Sequence, residues 1–276
     1  MRLDAFVDKV LTEGQKYKRT LPWRYIDDPY AVLVSEVMLQ QTQVSRVLPR
    51  WERFLALFPT LDALAAADQA TVLEQWQGLG YNRRALALRR CAEICAQNYG
   101  GNLPKDINEL MALPGIGPAT AAGVRSFAYN LPSVYLETNV RTVFLHELFP
   151  DEENVTDKQL VPYIEKTCPE DDPRTWYYAL LDYGAHLKSS IGNASRRSAH
   201  YAKQSTFEGS RRQKRAFLVR EVLAEPGISV DALAEKLATF EQQHAREAIS
   251  QAEVEDILND LVSEGFFART GNTFMA

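Results

Sequence analysis

Cysteine is scarce: the 276 residues include only Cys91, Cys95 and Cys168. An odd number at these spacings excludes a disulfide-stapled scaffold. Cys91 and Cys95 stand four apart on an expected helix, but no third or fourth ligand lies near them, so they read as packed thiols rather than a metal pair. Long apolar runs are missing as well. None approaches the roughly 18–20 residues of a membrane span. The first ten residues hold no secretory apolar core, so the expectation is a cytoplasmic protein with no membrane partner. Nothing in the bulk composition is extreme: 24% charged and 46% hydrophobic residues describe a globular chain long enough for two buried cores.

The net charge of −5 argues against a nucleic-acid partner, but its distribution argues for one. Between Lys188 and Arg220 there are nine basic residues and one acid, Glu208. Beyond Arg220 there are eleven acids and three bases. A basic belt therefore joins a near-neutral body to an acidic end, and local charge decides phosphate binding.

Residues 1–187 keep apolar positions at helical spacing, with Pro and Gly at the breaks, and predict an all-α body. Helices are expected around 30–41, 44–57, 71–77 and 84–97. Asp106 and Asn108 are candidate caps for a short helix, and Pro118 suits the first turn of the next. Residues 188–212 lose the period and become polar, small and basic, which predicts a connection laid over the surface; Tyr201 and Phe207 among the bases favour docking over free solvation. Residues 213–276 regain it: a helix over 214–224, a turn at Pro226-Gly227, a helix capped by Ser229 and reaching Ala238, a third helix over 252–264, and two short strands around Gly271-Asn272. That order resembles a winged-helix module. Its third helix carries Glu253, Glu255, Asp256, Asp260 and Glu264, which suits packing or protein contact better than a DNA groove.

Two segments carry chemistry. Leu113-Pro114-Gly115-Ile116-Gly117-Pro118-Ala119-Thr120-Ala121 makes a glycine turn between two helices, whose exposed N–H groups at a helix start can grip phosphate. The second is Leu21–Val44, where Glu36 sits in an otherwise apolar helix. Either it lies on a polar face shared with Gln43 and Arg46, or it is an acid in an apolar pocket, with the raised pKa that a general acid needs near neutrality.

Taken with GLGYNRRA (78–85), with Glu137-Thr138-Asn139-Val140 and with ALLDYGAH (179–186), these segments stand in the order and at the intervals of a known family. Over residues 18–187 the chain resembles the helix-hairpin-helix (HhH-GPD) DNA glycosylases, most of all the adenine-specific, MutY-type branch. The resemblance implies a two-lobed all-α glycosylase fold, here followed by the winged-helix-like module. It implies that Glu36 protonates the leaving base, that Glu137 occupies the place of the family's catalytic aspartate, and that Asn139 orients the carboxylate or a water. Gln40 and Gln41 match the turn that fills the gap left by an extruded nucleotide, and Tyr81 the wedge beside the opposing base. Trp23 and Arg24 match the base pocket with Asp182 behind them, while Leu113, Gly115, Gly117 and Thr120 belong to the phosphate-gripping hairpin. The two carboxylates follow the logic of glycoside hydrolysis, one protonating the leaving group and one facing the sugar cation.

The chain departs from that pattern at four points. Glu137 is one methylene longer than the family's aspartate. Ala119 stands where bifunctional members place a Schiff-base lysine, so no lyase chemistry is expected. Lys188 replaces the first cysteine of the family's iron–sulfur loop and no cysteine follows Cys168, so no cluster, no metal and no other cofactor is expected. In its place the basic connection is expected to brace the last helix and to offer Arg196, Arg197 and Lys203 to phosphates. The winged-helix-like module stands where adenine glycosylases carry a nudix-like domain. The expectation is a monomeric, monofunctional glycosylase, nucleoid-associated, hydrolysing the N-glycosidic bond of a flipped damaged or mispaired base, adenine first, in double-stranded DNA; the acidic end is expected to contact protein. Two readings stand beside it: a catalytically weak or inactive protein that binds DNA damage or structure, and a glycosylase for a different purine lesion. The domains read as 1–187, 188–212 and 213–276.

Overall fold

Short polar side chains set where many of the helices begin. Asp28 accepts from the N–H groups of Tyr30 and Ala31 at 3.0 and 3.2 Å, Asp68 from Ala70 and Thr71, Asp106 from Asn108 and Glu109, and Asp172 from Thr175. Each such cap is worth about 1 kcal/mol. The computed structural model describes residues 2–199, 201–247 and 249–276. Along them run α1 (Leu3–Lys16), α2 (Pro29–Leu39), α3 (Val44–Leu57), α4 (Leu61–Ala66), α5 (Gln69–Trp76), α6 (Arg83–Asn98), α7 (Ile107–Ala112), α8 (Pro118–Ala128), α9 (Thr138–Leu148), α10 (Asp157–Thr167) and α11 (Pro173–Ser190). A 3₁₀ turn (Ala194–Arg197) follows, then α12 (Arg211–Ala224), β1 (Ile228–Ser229), α13 (Val230–Gln243), α14 (Gln251–Ser263), β2 (Ala268–Thr270) and β3 (Thr273–Met275). No helix among the described residues is long and apolar enough to cross a membrane.

Compactness does not follow chain order. Residues 1–40 and 102–203 form one unit, residues 41–101 and 204–276 a second. The sequence boundaries at 187 and 212 mark where composition changes, which is a different property.

In the first unit Phe6 of α1 packs against Phe144 of α9 and Trp176 of α11, with ring centroids 4.9 and 6.1 Å apart. Gly14 permits this: a Cβ there would collide with Ala179 of α11. Helix α2 is buried at Tyr30–Ser35, Val37 and Met38, so its apolar residues run around most of the helix. The connection after α11 docks on this unit. Val155 N–H donates to Arg197 O at 3.1 Å and Ala199 N–H to Val155 O at 2.9 Å, while Asn193 Oδ1 accepts from Thr142 Oγ1 of α9. Arg197, expected to face phosphate, spends its guanidinium on carbonyls at the end of α9: Leu145 O at 2.8 Å, Phe149 O at 2.5 Å, Pro150 O at 2.7 Å and Glu152 O at 3.1 Å. A helix C-terminus leaves such carbonyls without intrahelical donors, so a five-donor cation is a natural occupant. Thus the 3₁₀ turn braces α9. Arg196, the next residue back, is exposed.

In the second unit Trp76, Phe54 and Phe58 centre the packing of α3 and α5. Cys91 and Cys95 are buried on α6 and hydrogen-bonded to each other. The C-terminal module has the winged-helix order, with one strand more than the sequence suggested: β1 pairs with β3 through Ile228 opposite Phe274, and β2 pairs with β3 on its other side. Helix α13 runs to Gln243, five residues beyond the expected end, because Leu237 and Glu241 continue its buried face. The acidity of α14 is answered inside the unit. Arg211 of α12 bridges Asp256 and Asp260 at 3.0 and 2.6 Å, Lys214 bridges Glu253 at 3.3 Å, and both Arg215 and Arg83 pair with Glu264. Charges segregated along the sequence are thus neutralised in space. Gln69 Nε2 of α5 donates to the carbonyls of Gly265 and Phe266 at 2.8 and 2.9 Å, tying the module to α5.

If Arg197 holds the end of α9, Arg197→Ala leaves several carbonyls short of a donor and costs about 1–3 kcal/mol in urea unfolding. Arg196→Ala serves as the control, with a change within about 0.5 kcal/mol.

Candidate active site

The hairpin forms as its glycines dictate. Gly115 adopts φ +76°, a conformation open to glycine, and Gly117 is the N-cap residue of α8, with no side chain to cover the helix start. Leu113 and Ile116 are buried and anchor the turn, whereas Gly115, Gly117, Pro118 and Ala119 are exposed. The turn therefore shows backbone, not side chain, to solvent. Thr120, in the first turn of α8, is buried, and its Oγ1 accepts from Gln40 Nε2 at 2.9 Å.

Glu36 points from α2 to α8, where Gly123 leaves room for it; a Cβ at Gly123 would collide with Glu36 Oε2. The alternative of a shared polar face with Gln43 and Arg46 is excluded, because α2 ends at Leu39. Burial pushes the Glu36 carboxyl up to about 8, the charge of Glu137 adds to that rise, and a hydrogen bond from Tyr135 opposes it. This carboxyl holds a proton at neutral pH.

Glu137 is the N-cap of α9. Its Oε1 accepts from the N–H groups of Asn139 and Val140 at 2.6 and 2.9 Å, and its Oε2 from Asn139 Nδ2 at 3.3 Å. Aspartate is the usual carboxylate at such a position; here the longer side chain folds back to make the same cap. Burial raises its pKa, while the backbone donors and the charges of Lys188 and Arg141 act in the opposite direction. Lys188 thus lends positive charge to the site carboxylate. Gly184 of α11 lies so close to α9 that a Cβ there would collide with the Asn139 carbonyl.

Trp23 and Arg24 are buried. Arg24 makes a two-pronged pair with Asp182, at 2.7 and 2.9 Å, and its guanidinium lies 4.5 Å from the Tyr178 ring centroid. Asp182 also accepts from Arg19 Nε at 2.6 Å. Trp23, Arg24, Glu36, Gln40, Leu113, Gly115, Gly117, Thr120, Glu137, Asn139, Asp182, Arg196 and Arg197 all belong to the first unit, Gln41 and Tyr81 to the second. Gln41 and Tyr81 share an uncommon backbone for residues with a Cβ, φ +53° and +48°. The Tyr81 hydroxyl accepts from Arg212 Nη1 at 2.6 Å and from Gln204, while the guanidinium carbons of Arg84 and Arg212 each lie 5.6 Å from its ring centroid. The basic connection thus reaches the tyrosine with Gln204 and Arg212, which the sequence did not single out. Tyr135, Tyr178 and Gly123, all beside Glu36, were missed too; a lone tyrosine or a helical glycine carries no spacing signal. Among the described residues no three metal-binding side chains converge.

Residues 34–170 match the HhH-GPD superfamily of base excision DNA repair proteins. The chain belongs to this superfamily. Its similar relatives include the adenine DNA glycosylases of Buchnera aphidicola subsp. Baizongia pistaciae, 37% identical over 61% of this chain and 48% of that protein, and of Mycolicibacterium smegmatis, 39% identical over 61% and 58%. That of Mycobacterium tuberculosis is 45% identical over 47% of this chain and 43% of its own length. The chain thus spans about half the length of these HhH-GPD relatives. Among solved structures, a thermostable thymine-DNA glycosylase matches with a TM-score of 0.62 over 72% of this chain and 96% of its own, at 23% identity. Endonuclease III in a trapped DNA complex matches at 0.53 over 68% and 86%, at 21% identity. These two likenesses establish the all-α glycosylase fold.

The raised acid has a consequence for stability. In the unfolded chain Glu36 loses its proton near the model-peptide value of 4.5, whereas the folded carboxyl keeps it to about pH 8. Its contribution to stability therefore falls as pH rises across that window. Glu36→Gln, which cannot ionise, should match the parent at pH 4 and exceed it by about 1–4 kcal/mol at pH 8, read by urea unfolding across the range.

Proposed function

We propose that the chain is a monofunctional DNA glycosylase that hydrolyses the N-glycosidic bond of adenine, flipped from mispaired or damaged double-stranded DNA. The observation that carries this reading is a pair of carboxyl groups, both raised by burial, of which Glu137 alone is opposed by backbone donors and nearby cations. Glu36 is packed against Gly123 with a pKa of about 8, and Glu137 is held by backbone donors and faced by Lys188 and Arg141. Groups whose surroundings differ in this way divide into an acid and a base. The similar relatives named adenine DNA glycosylases favour adenine as the base.

The steps follow from that division. Extrusion of the nucleotide costs a few kcal/mol of stacking and pairing. The exposed backbone of Gly115 and Gly117 holds the phosphates, and Trp23 and Arg24 line the base pocket. As the bond from the sugar C1′ to the base nitrogen breaks, its electron pair leaves with the base, and Glu36 supplies the proton that makes adenine a competent leaving group. Glu137 faces the oxocarbenium-like sugar; water adds to C1′ and gives up its proton to a carboxylate. Asn139, bonded to Glu137, keeps that carboxylate in place. Ala119 offers no amine, so the sugar is left intact as an abasic site. The chemistry needs no metal and no cluster, and the bracing of α9 falls to Arg197 and Asn193. The protein acts as a monomer on the nucleoid.

The test is a panel of duplexes carrying one altered base each, beginning with adenine opposite guanine and opposite 8-oxoguanine. Alkali should reveal abasic product from an adenine duplex, and untreated samples should stay unbroken. Glu36→Gln should lose about 10²–10⁴-fold in single-turnover rate and Glu137→Gln about 10²–10³-fold. No product from any duplex, with both variants binding as the parent does, would favour the damage-binding reading. Product only from another purine would move the substrate.

A further inference from the structure

The hydroxyl beside Glu36 comes from a residue outside the motifs. Tyr135 lies in the segment connecting α8 and α9, two residues before the Glu137 cap, and is 6% exposed. Its place is fixed from three sides. The ring meets Phe127 of α8 at 5.1 Å and Tyr177 of α11 at 5.4 Å, both edge-on, and its backbone N–H donates to the Tyr177 hydroxyl at 3.2 Å. Over Gly123 the ring edge and the Glu36 carboxyl converge: a Cβ on that glycine would collide with Glu36 Oε2 and stand 3.0 Å from Tyr135 Cε2. The phenol is hydrogen-bonded to Glu36, and the charge of Glu137 acts on it as well.

We propose that Tyr135 is the positioning residue of the acid: its hydroxyl donates to one oxygen of Glu36, pins the carboxyl over Gly123 and leaves the other oxygen to carry the proton toward the substrate. This assignment rests on the proposed role of Glu36. A carboxyl on two methylenes has several rotamers, and a misplacement of about 1 Å can cost on the order of 100-fold in rate. Gly123 removes the obstacle from below, and Tyr135 closes the side. The same bond favours the ionised form of Glu36, against burial and the Glu137 charge, which both favour the protonated form. The groups acting on Glu36 are therefore Tyr135 from the connecting segment, Glu137 from the α9 cap and Tyr178 from α11, the last beneath the Arg24 guanidinium.

Tyr135→Phe keeps the ring and removes the donor. With carboxyl-labelled glutamate, NMR titration of the substrate-free protein should show the Glu36 midpoint moving upward in this variant. Site-specific 3-fluorotyrosine at 135, a stronger donor in nearly the same volume, should move it downward. Tyr177→Phe disturbs the same segment without touching Glu36, so it should lower the thermal midpoint and leave the titration where it was. In single turnover on an adenine duplex, Tyr135→Phe should lower the plateau rate about 10-fold and carry the alkaline limb upward with the titration. A Glu36 midpoint unmoved in both Tyr135 variants overturns the assignment, whatever happens to activity. A midpoint that shifts in these directions while no duplex yields product upholds the contact and defeats the glycosylase reading instead.

Discussion

A carboxyl group pressed against a helix backbone where no methyl group fits is the constraint on which this site turns. Glu36 reaches α8 only because residue 123 is glycine. Its surroundings are apolar because α2 carries Val34, Val37 and Met38 around it. An ordinary surface glutamate would keep its charge and its hydration. Here the cost of withdrawing that charge from water is met by keeping the proton, and a kept proton is what a general acid must offer. The gap between α2 and α8 therefore fixes both a distance and a protonation state. Glycine inside a helix is destabilising relative to alanine by about 0.5–1 kcal/mol, a cost that only the packing of the carboxyl explains.

The second carboxyl is raised by burial too, but its neighbours act against that rise. Glu137 receives two backbone N–H groups at the start of α9, where the helix dipole also favours negative charge. The extra methylene relative to aspartate is absorbed by folding the side chain back onto the helix. Charge from Lys188 reaches it from the end of α11. Where bifunctional relatives place a lysine on the hairpin this chain has Ala119, so the cationic influence on this site comes from Lys188 and Arg141. The two carboxyl groups thus differ through their neighbours, not through their residue type.

What could be read from the sequence was whatever repeats at short range. The hairpin is a local string in which Gly115 takes the left-handed turn, and Asp106 and Pro118 sit where a helix needs them. Glu36 stood out because an acid interrupts an apolar run. Tyr135 and Gly123 did not, since their meaning lies in what they touch across α2, α8 and α11, at separations no periodicity reports. The acidic face of α14 was legible as a charge pattern, and its partners on α12 were in view nearby, yet the pairing depends on how two helices dock. Likewise the second unit joins residues 41–101 to 204–276, an arrangement that chain order conceals.

Arg197 shows why composition misleads in such a segment. A basic, small-residue stretch reads as a surface for phosphates, and Arg196, exposed, remains available for that use. Its neighbour turns inward, because the end of α9 exposes carbonyls that lack intrahelical donors and a guanidinium can meet several at once. The same helix begins at the Glu137 cap, so the two ends of α9 are held by different means: its own carboxylate at one and the connection at the other. A helix eleven residues long is short enough that freedom at one end reaches the other. Fixing the carbonyl end thereby limits how far the cap, and the carboxylate that makes it, can drift from Glu36. In this chain the connection holds the carbonyl end of α9 with hydrogen bonds.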